Sequence, residues 1–184
     1  SVAWMQYQKG DYKAADRWLK LADTDAPYAL WLKAKLALRD GKVDLAARLL
    51  AQAVPKLPQA HTLESRNLEF ETLPGDISKG DLGLLHVGQA DFLAAIRLFI
   101  QVKNSDDAEY LAEGVLSIPE LTKFIETDLP PETEAAADSE SYFDNSPREL
   151  HARFRAIIGR RYVRLSKLKD ARPWFAEAEQ KTLD

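Results

Sequence analysis

The sequence predicts an all-α protein, an array of antiparallel helix-turn-helix units, on three observations. The first is a repeated phrase. Gly10-Asp11-Tyr12-Lys13-Ala14-Ala15 returns in outline as Gly41-Lys42-Val43-Asp44-Leu45-Ala46-Ala47, 31 residues later. Each time an apolar run with helical spacing stops at a glycine and restarts on two alanines. A turn recurring at fixed spacing between helices is the mark of a helical repeat array. The second is periodicity. Ala15, Leu19 and Ala22 fall at i, i+4 and i+7, the apolar stripe of an amphipathic helix. The third is capping chemistry. Ser146-Pro147-Arg148-Glu149 sets serine at the cap, proline at the first helical position and glutamate three residues past the serine, the pattern of a capping box.

Composition narrows the functional classes. Of 184 residues, 46% are hydrophobic, an ordinary fraction for a chain that folds around a core. With 25 basic and 29 acidic residues the net charge is -4. The basic excess of a nucleic-acid binder is therefore missing. There is no cysteine, which excludes disulfides, thiolate metal sites and cysteine nucleophiles. No apolar run approaches the ~18 residues that span a bilayer, and the first residues carry no signal-peptide pattern. The chain starts at Ser1 and its single methionine, Met5, lies inside a helical pattern. It is therefore expected to be a piece of a longer chain, and nothing in it assigns a compartment.

Taken in order, Val2 to Lys9 reads as the end of a helix stopped by Gly10. Tyr12 to Ala22 is the next helix. Thr24-Asp25 is expected to cap a third, with Pro27 in its first turn, running to Arg39 before Asp40-Gly41. A fourth runs from Val43 to Val54, before Pro55 and Pro58. Residues 56–80 read as an insertion without helical or strand period, too long for an ordinary loop. Ser105-Asp106-Asp107 is expected to cap a helix to Leu116, and Ser117-Ile118-Pro119-Glu120 opens another ending near Asp128. Residues 129–145 read as an acidic, flexible linker. They hold Pro130-Pro131, Glu132, Glu134, Asp138, Glu140 and Asp144 with no Lys or Arg, a composition that does not offset the entropy of ordering. Two helices close the chain, Pro147 to Leu165 and Leu168 to Lys181, with Pro173 inside the second expected to bend it.

Four blocks carry a family resemblance. Gly10-Asp11-Tyr12 with Ala15, Leu19, Ala22 and Pro27, and Gly41-Lys42-Val43 with Ala46, Leu50, Ala53 and Pro58, resemble tetratricopeptide (TPR) repeats. Leu82-Gly83 with Val87, Asp91-Phe92, Ala95 and Phe99 follows the same spacing. So does Ile158-Gly159 with Tyr162-Val163, Leu168, Ala171, Phe175 and Ala178. The resemblance implies a divergent TPR-like α-solenoid belonging to a longer, bacterial-type chain. Its repeat-like units are 1–27, 28–58, 78–104 and 147–184, and the helices of 105–128 lie outside the repeat. The period of 31 between the two clean copies is shorter than the ~34 of that family.

The sequence offers no catalytic constellation. The three histidines, His61, His86 and His151, are scattered, and no metal-ligand spacing links them. The eight glycines read as helix stops and repeat signals rather than a phosphate loop. The chain is therefore expected to be non-catalytic and to need no cofactor or metal. The resemblance implies instead a protein or peptide partner held on a concave face lined by the first helix of each unit. The positions carried over are Trp4 and Gln8, then Tyr28, Trp31, Lys35 and Arg39, then Leu84, then Arg160 and Arg164. Independently of the family, Tyr28, Trp31, Lys35 and Arg39 fall at i, i+3, i+7 and i+11, one stripe of one helix. Aromatics continuing into cations suit an acidic peptide, because charged hydrogen bonds to carboxylate are strong and aromatics supply most hot-spot area. The asparagines of the family's carboxylate clamp are absent. The alternative expectation is an assembly element that packs on other parts of a longer chain or self-associates. A further expectation is that the acidic linker folds back onto the basic groove.

Overall fold

Residues 1–23, 25–57, 74–129 and 146–183 are described by the structure, a computed structural model. All regular structure among them is helical. Most of the expected insertion (58–73) and of the expected acidic linker (130–145) lies outside the described residues. The chain divides into two units, Ser1–Asp91 and Phe92–Asp184. The boundary falls inside the stretch 78–104 that the sequence assigns to one repeat-like unit.

The first unit holds α1 (Val2–Gln8), α2 (Tyr12–Leu19), α3 (Pro27–Arg39), α4 (Val43–Ala53) and α5 (Pro74–Gly88), with a 3-10 turn at Val54–Lys56. Helix α1 packs on α2, α3 on α4 and α4 on α5. Alanine makes these approaches close: Ala15, Ala34, Ala46 and Ala53 have no exposed surface. Leu19 and Leu50 are buried as well, each burial worth about 2 kcal/mol. Helix α5 begins at Pro74, so the last residues of the expected insertion are helical. Helix α3 is also entered differently from expectation. Its N-cap is Ala26, which offers no side-chain bond, and Pro27 opens the helix alone.

The second unit holds α6 (Phe92–Gln101), α7 (Ser105–Gly114), α8 (Ile118–Thr127), α9 (Pro147–Arg164) and α10 (Leu168–Leu183). Helix α9 packs along α10, and α7 and α8 both pack on α9. Large side chains fill this core: Phe99, Phe124 and Phe154, with Ile96, Leu121, Ile157 and Ile158, are fully buried. The Phe175 ring of α10 lies on Gly159 of α9, where any Cβ would stand 2.8 Å from its Cε1. Helix α10 runs through Pro173 as one element. Caps start the helices: Asn104 Oδ1 accepts from Asp107 N–H, Ser117 and Glu120 form a capping box, and Ser146 Oγ accepts from Glu149 N–H. None of the described helices is long and apolar enough to cross a membrane.

The turn at Gly10 and Gly41 has a defined geometry. Both glycines are left-handed, at φ 81° and 72°. Gly10 N–H donates to Tyr7 O and Asp11 N–H to Gln6 O; Gly41 N–H donates to Leu38 O and Lys42 N–H to Ala37 O. This pair of bonds is the Schellman motif, which satisfies carbonyls left over at a helix end. The same two bonds form around Ala90, Lys103 and Ser166, which take φ of 60°, 57° and 60°. A side chain strains that conformation by about 1–2 kcal/mol. Ser166→Gly is therefore expected to stabilise the second unit by about 0.5–1 kcal/mol, after the extra freedom glycine gives the unfolded chain is subtracted. Gly41→Ala should destabilise the first unit by about 1 kcal/mol through φ alone, because a Cβ there meets nothing within 4 Å. Urea unfolding of both variants measures the two signs.

Candidate functional site

Helix α3 presents Tyr28, Trp31, Lys35 and Arg39 along one side, and α1 and α2 bring three more rings to it. The Trp31 ring stacks on Trp4, centroids 5.1 Å apart, and Trp4 stacks on Tyr7 at 5.6 Å. Tyr28 meets Trp31 edge-on at 6.5 Å, and Tyr7 meets Tyr12 edge-on at 5.4 Å. The five rings therefore form an unbroken ladder in the order Tyr28, Trp31, Trp4, Tyr7, Tyr12. The Arg39 guanidinium closes its far end, 3.6 Å from the Tyr12 centroid. Trp4 and Tyr7 also pack on Ala3, Leu19, Ala29 and Leu32. Each ring contact contributes about 0.5–1.5 kcal/mol beyond burial, so the ladder is held in place before any ligand arrives.

The two cations of the stripe differ. Lys35 Nζ lies 5.1 Å from the Trp31 ring centroid and 3.0 Å from Asp81 Oδ2 on α5. Its charge is already neutralised. Arg39 is exposed and has no carboxylate partner among the described residues. A cavity of about 520 Å³ opens beside the Tyr28 end, bounded by Ser1, Trp4, Tyr28, Trp31 and Leu32. Tyr28 is 51% exposed there, whereas Trp31 is 8% exposed. The Trp31 indole N–H is buried and donates to no acceptor among the described residues.

In the second unit Arg160 and Arg164 both close on Glu113 of α7, at 2.7 Å each. Burial pushes the Glu113 carboxyl up, but the hydrogen bonds and charges of Arg160 and Arg164 outweigh it and hold the group below the ordinary carboxylate range. Arg161, between them, donates to Ala112 O at 2.8 Å and to Leu116 O. Arg153 pairs with Glu109 at 3.3 Å and with Glu149. Arg153, Arg160, Arg161 and Arg164 thus fasten α9 to α7.

Of the other positions carried over, Gln8 is exposed at the end of α1 and Leu84 is 58% exposed on α5. Sequence reasoning left out Tyr7 and Tyr12 as site residues, although Trp4 and Tyr7 stand at i, i+3 on one helix and Tyr12 follows the turn. Asp81 carried no signal at all, being 46 residues from Lys35. His86 Nδ1 lies 3.4 Å from Asp91 and the buried His151 lies 2.7 Å from Arg155; His61 is outside the described residues. Among the described residues no three His, Asp or Glu side chains are grouped to hold a metal. Comparison with known proteins finds no match for this chain, whether among protein-family models, curated proteins or solved structures.

Proposed function

We propose that the first unit is a binding module that receives an extended peptide or protein segment along the ladder of α1, α2 and α3. The observation that carries this reading is the ladder itself: five fixed rings ending in Arg39, a cation without a carboxylate partner among the described residues. A preorganised aromatic surface binds without the entropic cost of ordering itself, and aromatics with arginine dominate interface energies. The ligand contacts fall to Tyr28, Trp4, Trp31 and Arg39. Lys35, tied to Asp81, supports the Trp31 ring. Arg160 and Arg164 stand outside this reading because Glu113 holds both. No catalytic step and no cofactor are involved.

A random peptide display library selected on the protein tests the reading. Enrichment of a sequence family containing an acidic residue is expected. Arg39→Glu should weaken the enriched peptides at least tenfold, a loss of about 1.4 kcal/mol, while the variant stays folded and loses only the about 0.5–1 kcal/mol of the Arg39–Tyr12 contact. Absence of enrichment, or affinity indifferent to Arg39, refutes it.

A further inference from the structure

Independently of the ladder, we infer that the cleft between α9 and the first half of α10 is a docking site for an amphipathic helix with acidic flanks. Register, shape and charge each point to that occupant.

The left-handed residues Gly10, Gly41, Ala90 and Ser166 each stand between two helices and mark equivalent places in the chain. The ninth residue after each is Leu19, Leu50, Phe99 and Phe175 respectively. Leu19, Leu50 and Phe99 are buried, whereas Phe175 is 38% exposed. In the first three cases the next helix packs on the one that carries this residue: α3 on α2, α5 on α4 and α7 on α6. Helix α10 packs along α9, and its corresponding face is open.

Val163, Leu168, Ala171 and Phe175, with Lys169 and Arg172, bound a cleft of about 400 Å³ on that face. Gly159 lies against the Phe175 ring. Counted from the turn, Gly159, Val163, Leu168 and Phe175 correspond to Ala3, Tyr7, Tyr12 and Leu19. Those four are what α3 covers in the first unit. Its Ala29 and Leu32 cluster with Ala3 and Leu19, its Leu36 and Tyr7 pack against that cluster, and its Arg39 lies over the Tyr12 ring. Ala29, Leu32, Leu36 and Arg39 fall at i, i+3, i+7 and i+10, one face of a helix. A helix docking in a groove uses anchors at that spacing. The open cleft therefore fits a helix by contacts that the chain already uses once. Leu168 replaces the Tyr12 ring that Arg39 covers, so the last anchor of the incoming helix is apolar.

Charge sets the flanks of that helix. Lys169 and Arg172 border the cleft and Lys167 precedes them, none with a carboxylate partner among the described residues. From Val163 to Phe175 four residues are basic, and Asp170 alone is acidic. In the first unit Asp16 stands where Arg172 does. Carboxylates beside the apolar anchors complement these cations, and a basic helix is repelled. An anionic lipid surface offers the same charge but has no ridge of side chains to fill a cleft.

Isothermal titration of the protein with three blocked, stapled helical peptides tests the inference. The first carries alanine at i and leucine at i+3, i+7 and i+10, with glutamates on both flanks. The second replaces the leucines by glutamine, and the third replaces every glutamate by lysine. The first peptide is expected to bind, and the other two at least tenfold more weakly. Leu168→Gln, a change at an exposed side chain, should weaken the first peptide at least fivefold in a protein that stays folded. Lys169→Glu combined with Arg172→Glu should reverse the order of the glutamate and lysine peptides. Arg39→Glu should leave all three titrations unchanged; a dependence on Arg39 would put the peptide on the ladder and overturn the inference. Failure of the first peptide to bind, or equal binding of the glutamine peptide, also overturns it and leaves the ladder reading untouched. Binding of phosphatidylglycerol vesicles in place of the first peptide, weakened by Leu168→Gln, would assign this face to a lipid surface and overturn it likewise.

Discussion

Phe154→Ala is expected to destabilise the second unit by about 3–5 kcal/mol. The Phe154 side chain has no exposed surface, and its ring centroid lies 6.0 Å from that of Phe124, itself 1% exposed. Truncation removes the apolar burial and leaves a hole, and the size of the loss depends on how far the surroundings collapse into it. Helix α9 is poorly placed to move. Arg161 and Arg153 fasten it to α7 on one side, and the Phe175 ring lies against Gly159 on the other. Shifting α9 into the hole would break those contacts, so the cavity stays open and the cost approaches the upper part of the range. Native-state hydrogen exchange of the α9 and α10 amides reads the change, with the amides of α3 and α4 as an internal reference. A loss below about 1 kcal/mol would mean that α9 closes the hole despite its fastenings.

What the sequence made legible follows from how far each interaction reaches along the chain. Glycine at Gly10 and Gly41 announces a left-handed turn because it alone adopts that conformation without strain. Ala90, Lys103 and Ser166 adopt the same conformation, but their side chains advertise nothing, so those turns had to be located by neighbouring pattern. Pro74 falls in the stretch 56–80 that the sequence reads as an insertion without period, yet proline is a good first residue of a helix, and α5 uses it in that way. The stripe from Tyr28 to Arg39 was legible because helical spacing alone places it. Which residues face that stripe was not, because Tyr12, Trp4 and Asp81 reach it through tertiary packing. The same limit governs Arg160 and Arg164. Their helix face was predictable, but their partner Glu113 lies 47 residues before Arg160. A helical period reveals which residues share a side and leaves open what neutralises them.

Arg161→Met is expected to cost the second unit about 2–3 kcal/mol, more than Arg160→Met or Arg164→Met. Methionine retains much of the apolar stem, so the variant isolates the two hydrogen bonds. Those bonds go to Ala112 O in the last turn of α7 and to Leu116 O just beyond it. Carbonyls at a helix C-terminus lack helical partners, and the negative end of the helix dipole favours a cation there. Arg161 is half-buried, so water replaces it poorly. Arg164 is 61% exposed in its side chain, and an ion pair of that kind is worth about 0–1 kcal/mol. Acid separates the two kinds of contact. The folded-state pKa of Glu113 is depressed by Arg160 and Arg164. Its contribution is therefore present above the unfolded carboxylate value of ~4.3 and is lost as pH falls below that value through the folded one. The carbonyls that Arg161 binds do not titrate. Urea unfolding followed from neutral pH down through and below the ordinary carboxylate range should thus show the Arg164→Met difference shrinking, while the Arg161→Met difference persists. A cost of Arg161→Met that disappears in acid would place its source in the carboxylates rather than in the end of α7.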